Sequence, residues 1–253
     1  MILCKPDLDI HKICELVVVC KREKNMTKNT LLIFNRNDIE GLRRIWNLIP
    51  FDLFDYVLAI DGHSTDGSYE FLVSRGVSTH LQRRMGRENA ILEAMQLVEG
   101  DVVVELSSDG NEDPRTIPML LREIESGADV AIASRFAREG RSDDSDDPMR
   151  IRRLGNRLLT FLVNLVWRSS LTDSTNGLRA FRMTAWRRMR LNPSSHFEAE
   201  FLMSIRAAKL KLRIAEVPTV EGKRVGGKVQ ARTTRVGPAL LLVVIREMLR
   251  RRG

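Results

Sequence analysis

Along residues 29–135, short apolar runs alternate with stretches whose apolar residues recur three and four positions apart. The runs are Thr30-Leu-Leu-Ile-Phe34, YVLAID, VSTHLQ, DVVVELS and DVAIASR, and helical spacing fills 38–49, 67–75, 86–98 and 114–126 between them. Strands separated by helices of this length predict βαβ units, and so an α/β fold with a mostly parallel sheet flanked by helices. After Arg135 the pattern changes to REGRSDDSDDP, which has the composition of a mobile loop. A helix over about 151–167, the turn SLTDSTNG, a strand LRAFRM, a helix over 196–209 and a strand RIAEVPTV follow. The chain closes on GPALLLVVIREMLRRRG, a helix with a basic end, and no internal repeat is evident.

Length and composition fit one such domain. The 253 residues are 43% apolar and 6% aromatic, enough to bury a full core. Residues 1–28 have weak periodicity and read as an extension, with Met26 as a candidate natural start; the main domain spans 29–235, and 236–253 form the apolar and basic terminal helix. Cys4, Cys14 and Cys20 match neither a zinc set nor a disulfide framework and favour a reducing compartment. No apolar run approaches the roughly 20 residues that span a bilayer, and the start is unlike a signal peptide, so a cytoplasmic location is expected. The terminal helix can pack on the core, or lie at a membrane surface as a peripheral contact.

The net charge of +8 favours an anionic partner without choosing among phosphate, nucleic acid and lipid. Nucleic acid is disfavoured, because two Tyr and three Trp make no stacking stripe.

Two segments carry candidate chemistry. In Ile60-Asp61-Gly-His-Ser-Thr-Asp66-Gly-Ser68, an apolar strand ends in a carboxylate before a turn-rich loop opens a helix. Ligands of open α/β sheets sit beyond the strand carboxyl ends, where Asp61 can accept hydrogen bonds from a base or ribose. Equally, Asp61 and Asp66 can cap a turn and a helix. In the second segment, DVVVELSSDGNEDP, the strand runs into Ser107-Ser-Asp109-Gly-Asn111-Glu-Asp113-Pro114. Oxygen ligands crowded there suit a hard divalent cation, with Asp109 and Asn111 on one face, whereas Asp113 reads as a helix cap ahead of Pro114.

Together with Asn35-Arg-Asn-Asp38 and Gly86-Arg87-Glu-Asn-Ala90, these segments closely resemble the family 2 glycosyltransferases of GT-A fold. The resemblance covers roughly residues 29–230. It extends through Ala133-Ser-Arg135, Arg153-Leu-Gly-Asn156, Asp173-Ser-Thr-Asn-Gly-Leu-Arg-Ala-Phe181, Glu216-Val-Pro218 and Arg224-Val-Gly-Gly-Lys228, and the branch it most resembles is the dolichol-phosphate (polyprenyl-phosphate) mannosyltransferase type.

The resemblance implies an inverting, metal-dependent hexosyltransferase using Mg or Mn and a GDP- or UDP-sugar, with polyprenyl phosphate as acceptor. Asp61 would hold the base, alongside Asn35, Asp38, Gly86, Arg87 and Asp109 on the nucleotide side. Asp109 would be the metal-facing Asp of the Asp-x-Asp motif, and Asn111 would stand where the family's Gln supplies a ligand.

Charge stabilisation on the departing diphosphate would fall to Asp109 with its metal and to Arg135, Arg153, Arg224 and Lys228. A polyprenyl phosphate acceptor is already anionic and needs no strong base. A sugar hydroxyl would need one, and Asp173, Glu198 or Glu200 are then the candidates. Three departures stand out. Ser107 occupies the first Asp position of the motif and is a weaker metal ligand, with Glu105 on the same strand face but deeper. Arg36 replaces the family's Glu, and Gly62-His63 replace its Asp-Gly. A soluble enzyme acting on a glycan or small molecule, and a degenerate relative that only binds a ligand, are the rival readings.

Overall fold

The computed structural model describes residues 27–142, 151–191, 199–225 and 233–250. Five strands alternating with four helices open the fold: β1 (Asn29–Asn35), α1 (Ile39–Ile45), β2 (Tyr56–Asp61), α2 (Ser68–Ser74), β3 (Ser78–Leu81), α3 (Arg87–Ala94), β4 (Val102–Ser107), α4 (Ile117–Glu125) and β5 (Val130–Ser134). Then come β6 (Arg141–Ser142), α5 (Ile151–Trp167), β7 (Arg179–Arg182), α6 (Met183–Met189), α7 (Ala199–Lys209), β8 (Ile214–Pro218), β9 (Val220–Glu221) and α8 (Thr233–Leu249).

The main sheet has the order β3-β2-β1-β4-β7-β5-β8, and all its pairings are parallel except those of β7, which runs antiparallel between β4 and β5. The strand order reverses beside β1, so that the carboxyl ends of β1 and β4 diverge there into a crevice; this is where open α/β sheets take ligands. Register places Asn35 opposite Asp61 and Phe34 opposite Ser107 at that edge.

Period-2 alternation divides the core into two layers. Leu32, Phe34 and Val103 face one side with Ile91 of α3, Val163 of α5, Met189 of α6, Leu202 of α7 and Val243 of α8. Leu31, Ile33, Val102 and Val104 face the other with Leu42 of α1, Leu72 of α2 and Leu120 of α4. Each fully buried Leu or Ile contributes roughly 1.5–3 kcal/mol, so both sheet faces hold the strand ends rigid.

Several elements differ from the sequence expectation. The helix expected over 38–49 ends at Ile45 and continues as single 3₁₀ turns at Trp46–Leu48 and Phe51–Leu53, because Pro50 drives Ile49 to extended backbone (ψ 123°). The helix expected over 86–98 stops at Ala94, and α6 follows β7 directly where the sequence showed only a strand. Thr219 ends the expected strand RIAEVPTV early; past it, β9 pairs in parallel with β6 instead of joining the main sheet. Helix α8 runs through the boundary expected at 235/236. Part of the REGRSDDSDDP segment, and residues 1–26 with all three cysteines, lie outside the described residues.

Candidate functional site

Four strand-end loops and one late strap build the crevice. The loops after β1 and β2 are stapled together from below. The Asn35 side-chain amide donates to Asp61 Oδ2, to Ser64 Oγ at 3.1 Å and to Ser68 Oγ at 3.0 Å. Asp61 also accepts the Ser64 amide at 2.8 Å and the Ser64 hydroxyl at 2.7 Å. Asp66 accepts the Ile39 amide at 2.9 Å and the Ser68 amide at 3.0 Å. Burial raises the Asp66 carboxyl, but the Ser68 hydroxyl, which also donates to it, and then these amide bonds hold it below the usual carboxylate range.

Asp61 is fully buried. The structure therefore places it beneath the crevice, as a loop anchor. Arg36 lies across Gly62, where a Cβ would come within 3.1 Å of its Cδ. The two departures in this motif thus occupy one space: the glycine leaves room for the arginine.

The loop after β4 is fixed by a glycine pair. A Cβ on Gly41 would come within 2.2 Å of the Ser108 carbonyl oxygen, and one on Gly110 (φ +78°) within 2.9 Å of Gly41 Cα. That close approach seats α1 against the loop and lets the Ser108 hydroxyl donate to Asp38 Oδ2 at 3.0 Å. Asp38 and Asp109 are both buried. Burial first, and the neighbouring Asp109 second, raise the Asp38 carboxyl.

The strap after β9 closes this loop from above. Asn111 Nδ2 donates to Glu221 Oε1 at 2.6 Å, the Val225 amide donates to the Asp109 carbonyl at 3.2 Å, and Arg224 Nη2 lies 2.8 Å from Asp109 Oδ2. Asp109, Asn111 and Arg224 are therefore brought together. Lys228, expected with them, lies outside the described residues, as does Glu198.

Arg135 and Asp173 form the opposite wall, and the pair is closed. Arg135 Nε donates to Asp173 Oδ2 at 2.7 Å and Nη2 to Oδ1 at 3.0 Å, with Nη2 also reaching Thr175 Oγ1 at 2.9 Å and Nη1 lying 3.1 Å from Glu221 Oε2. All three guanidinium nitrogens thus serve the protein. Asp173 is fully buried; burial raises its carboxyl, and Arg135 brings it below the usual range. In this arrangement Arg135 orders the wall instead of pointing at a phosphate, and Asp173 is too deep to take a proton from an acceptor. Arg153 and Arg157 lie 5.9 and 5.2 Å from the Phe136 ring centroid, at the mouth of this wall.

Arg87 stacks 3.5 Å over the Phe34 ring centroid, and its Nε donates to Glu200 Oε1 at 2.7 Å. Gly86, with φ +114°, opens α3, and its carbonyl accepts from Gln82 Nε2 at 2.6 Å. Behind Arg87 sits a buried group of ionisable side chains whose pairing the sequence did not reveal. Arg179 donates to the Glu200 carbonyl at 2.8 Å, and Glu105, fully buried, is pushed up to about 7 by burial first and Glu200 second. Glu105 is thus as deep as its strand position implied. Glu112 was missed as well. It accepts the Ser107 amide at 2.7 Å, is pushed up to about 8 by burial and then Asp109, and fits because residue 177 is Gly, whose Cβ would press within 2.7 Å of its Oε1. A Glu three residues beyond Asp109, with an Asn-Gly pair downstream, offered no periodic signal.

Chemically, the crevice presents one central carboxylate and arginines at its rim, a layout suited to holding a polyanion through a cation. The buried Asp38 Oδ1 and Asn111 Oδ1 have no hydrogen-bond partner, which is what hard-cation ligands look like before they are used. Among the described residues no cluster of three or more His, Cys, Asp or Glu could hold a metal alone. The donor set therefore fits an ion that keeps water and takes its remaining ligands from phosphates, as Mg²⁺ does.

The family model described as Glycosyl transferase family 2 matches residues 16–190, beginning inside the segment expected to be an extension. Glycosyltransferase AglJ of Haloferax volcanii is 30% identical over 69% of this chain and 56% of its own. The dolichol-phosphate mannosyltransferase of Pyrococcus furiosus is 25% identical over 79% of this chain and 58% of its own. The undecaprenyl-phosphate mannosyltransferase of Micrococcus luteus is 29% identical over 74% and 80%. The chain spans about half the length of several relatives it matches, or less. Glucosyl-3-phosphoglycerate synthase of Mycobacterium tuberculosis, solved with Mg²⁺ and UDP, superposes with a TM-score of 0.70 at 18% identity, over 96% of this chain and 85% of that one. The fold is GT-A.

Proposed function

The chain belongs to glycosyl transferase family 2, and from that premise we propose that it moves a hexose from a nucleoside diphosphate sugar to polyprenyl phosphate at the cytoplasmic face of a membrane. The observation that carries the reading is the position of Asp109, buried at the end of β4 between Asp38, Asn111 and Arg224. The names of the relatives, two of them polyprenyl-phosphate mannosyltransferases, support the acceptor class.

Asp109 and Asn111 would hold a divalent cation, Mg or Mn, which when bound stabilises negative charge on the diphosphate. The rest of the work falls to the chain's own side chains. Arg224 turns from Asp109 to the diphosphate, and Arg153 supplies cationic charge at the mouth that draws a second phosphate, a role that the sequence resemblance also gives to Lys228. Asn35 and Asp61 hold the floor on which the base lies. Arg36, Asp38 and Gly86 form its sides, and Arg87 is kept in place by Phe34 and Glu200. Arg135 fixes Asp173 and Glu221, so that the acceptor wall keeps its shape. A phosphate acceptor arrives already anionic, which agrees with the burial of Asp173 and the engagement of Glu200 in an ion pair: neither is placed to act as a base.

Isothermal titration with UDP and GDP, each with and without Mn²⁺, tests this. Binding that requires the metal and disappears in Asp109→Ala is the expected result, and the preferred base is then named. No binding of either nucleotide under any condition would leave a degenerate relative. Metal-dependent binding, followed by transfer to a water-soluble glycan and none to polyprenyl phosphate, would leave a soluble-acceptor enzyme.

A further inference from the structure

The two residues of β9 alternate across their short strand: Val220 is 53% exposed, whereas Glu221 turns inward with its side chain 16% exposed. Three ties fix that strand. β6 pairs with it in parallel, Arg141 opposite Val220 and Ser142 opposite Glu221, and the Arg141 amide donates to the Thr219 carbonyl at 2.9 Å. The Thr219 hydroxyl lies 2.9 Å from that of Thr116, just beyond the Asp109 loop. The Gly222 amide donates to the Asn111 carbonyl at 2.8 Å, so Glu221 and Asn111 are held to each other through backbone before their side chains meet.

The side-chain contact between them has a fixed direction. Glu221 Oε1 lies 2.6 Å from the Asn111 amide nitrogen, and a carboxylate can only accept, so the nitrogen of Asn111 is the atom that must face it. The amide oxygen is then on the other arm of the side chain, and it is the buried atom that has no hydrogen-bond partner. Glu221 Oε2 lies 3.1 Å from Arg135 Nη1, an ion pair not aligned as a hydrogen bond. Burial raises the Glu221 carboxyl, and the Arg135 guanidinium draws it back toward the ionised form. One side chain therefore joins the loop that bears Asp109 and Asn111 to the wall of Arg135 and Asp173.

We infer that Glu221 is a positioning residue for the cation: it holds the Asn111 amide in the one orientation that presents Oδ1 to a divalent ion. The inference rests on the proposed reading of Asp109 and Asn111 as the ligand pair. Without Glu221, the two arms of the amide are nearly equal in size and either can face the site, one offering an oxygen lone pair and the other N–H groups that repel a cation. Partners that orient a metal ligand in this way are worth about 10- to 100-fold in affinity. A carboxylate in the place of the amide needs no such partner, since both its oxygens can bind a cation. That difference separates an orienting role from a merely structural one.

The test is a double-mutant cycle on the full chain, read by Mn²⁺ binding in the presence of UDP or GDP, followed by calorimetry and by loss of the free Mn²⁺ electron paramagnetic resonance signal. Glu221→Ala should weaken Mn²⁺ binding by about 10- to 100-fold. In the Asn111→Asp background the same substitution should cost about 2-fold or less, the scatter of independent sites, or improve binding by removing a facing carboxylate. Glu221→Gln, close to the native volume, leaves one acceptor for two donors, Asn111 and Arg135, and replaces the alanine variant in the cycle should circular dichroism show that variant unfolded. Equal losses in the two backgrounds, or no loss in either, would overturn the inference; the first would make Glu221 a structural support of the crevice and the second a bystander. Metal-dependent binding in the wild type that is lost in Asp109→Ala and untouched by the cycle would overturn this inference alone. No metal-dependent binding in the wild type would overturn the proposed function and the inference with it.

Discussion

Arg224 Nη2 lies 2.8 Å from Asp109 Oδ2, so the central carboxylate of the crevice is neutralised by the strap that crosses above it. A cation and a diphosphate arriving there must separate the two, and Arg224, about one-third exposed, is the partner with access to the open side of the crevice. Arg224→Ala should therefore leave folding nearly unchanged and weaken UDP or GDP binding in Mn²⁺ by roughly 10- to 100-fold, the worth of a charge-assisted hydrogen bond. Calorimetry decides it: unchanged affinity would mean that Arg224 never leaves Asp109.

Arg135 and Asp173 form a buried, bidentate pair. Removing one partner strands the other charge, which costs about 3–5 kcal/mol. Arg135→Ala should show that loss in urea denaturation. A drop in transfer activity at full stability would instead return Arg135 to the direct phosphate contact expected from the sequence.

Glu112 supplies a pH dependence. Its carboxyl is raised to about 8 in the folded protein, by burial and by Asp109. The folded form thus keeps a proton that the unfolded chain releases near the ordinary value of 4.5. Its contribution to stability is complete below about pH 4.5 and is lost as pH rises through about 8. Glu112→Gln retains an acceptor for the Ser107 amide and cannot ionise, so its stability relative to wild type should grow between about pH 5 and pH 8. Urea midpoints compared across that range check this, and a constant offset would show that Glu112 titrates normally.

Gly41→Ala places a methyl group 2.2 Å from the Ser108 carbonyl oxygen and 2.6 Å from the Asp109 carbonyl carbon, against backbone that cannot rotate away. The β4 loop must shift, taking Asp109 with it. The variant should lose about 1–3 kcal/mol of stability, the usual cost of overpacking, together with metal-dependent nucleotide binding. Thermal melts and the same titration measure both, and full binding in a stable variant would show that the loop tolerates the displacement.

The alternating apolar runs by themselves determined the βαβ order, the mostly parallel sheet, the strand end at Asp61 and the loop after β4 that bears Asp109, because period and strand length are local properties of a chain. The bracketing of Asp109 by Asn111 and Arg224, which are 115 residues from it at most in sequence, was also legible as an ordered series of motifs. What each carboxylate does was decided by tertiary structure. Asp61 and Asp109 have similar neighbours in sequence, yet Asp61 is enclosed by Asn35 and Ser64, whereas Asp109 keeps one oxygen on a partly exposed arginine. Arg135 resembled a phosphate ligand until Asp173 and Glu221 were found on its nitrogens, 38 and 86 residues away. Glu105 showed only its depth along β4, and Glu112 and Arg179 carry no local signal, since burial and pairing arise only when β4, β7 and α7 come together. Glu221 belongs to the same class: the sequence shows a carboxylate after a strand, and only packing shows that it faces Asn111 and Arg135. Periodicity is written along the chain, but desolvation, ion pairing and exposure depend on residues far apart in it, and they exist only once the fold has brought those residues into contact.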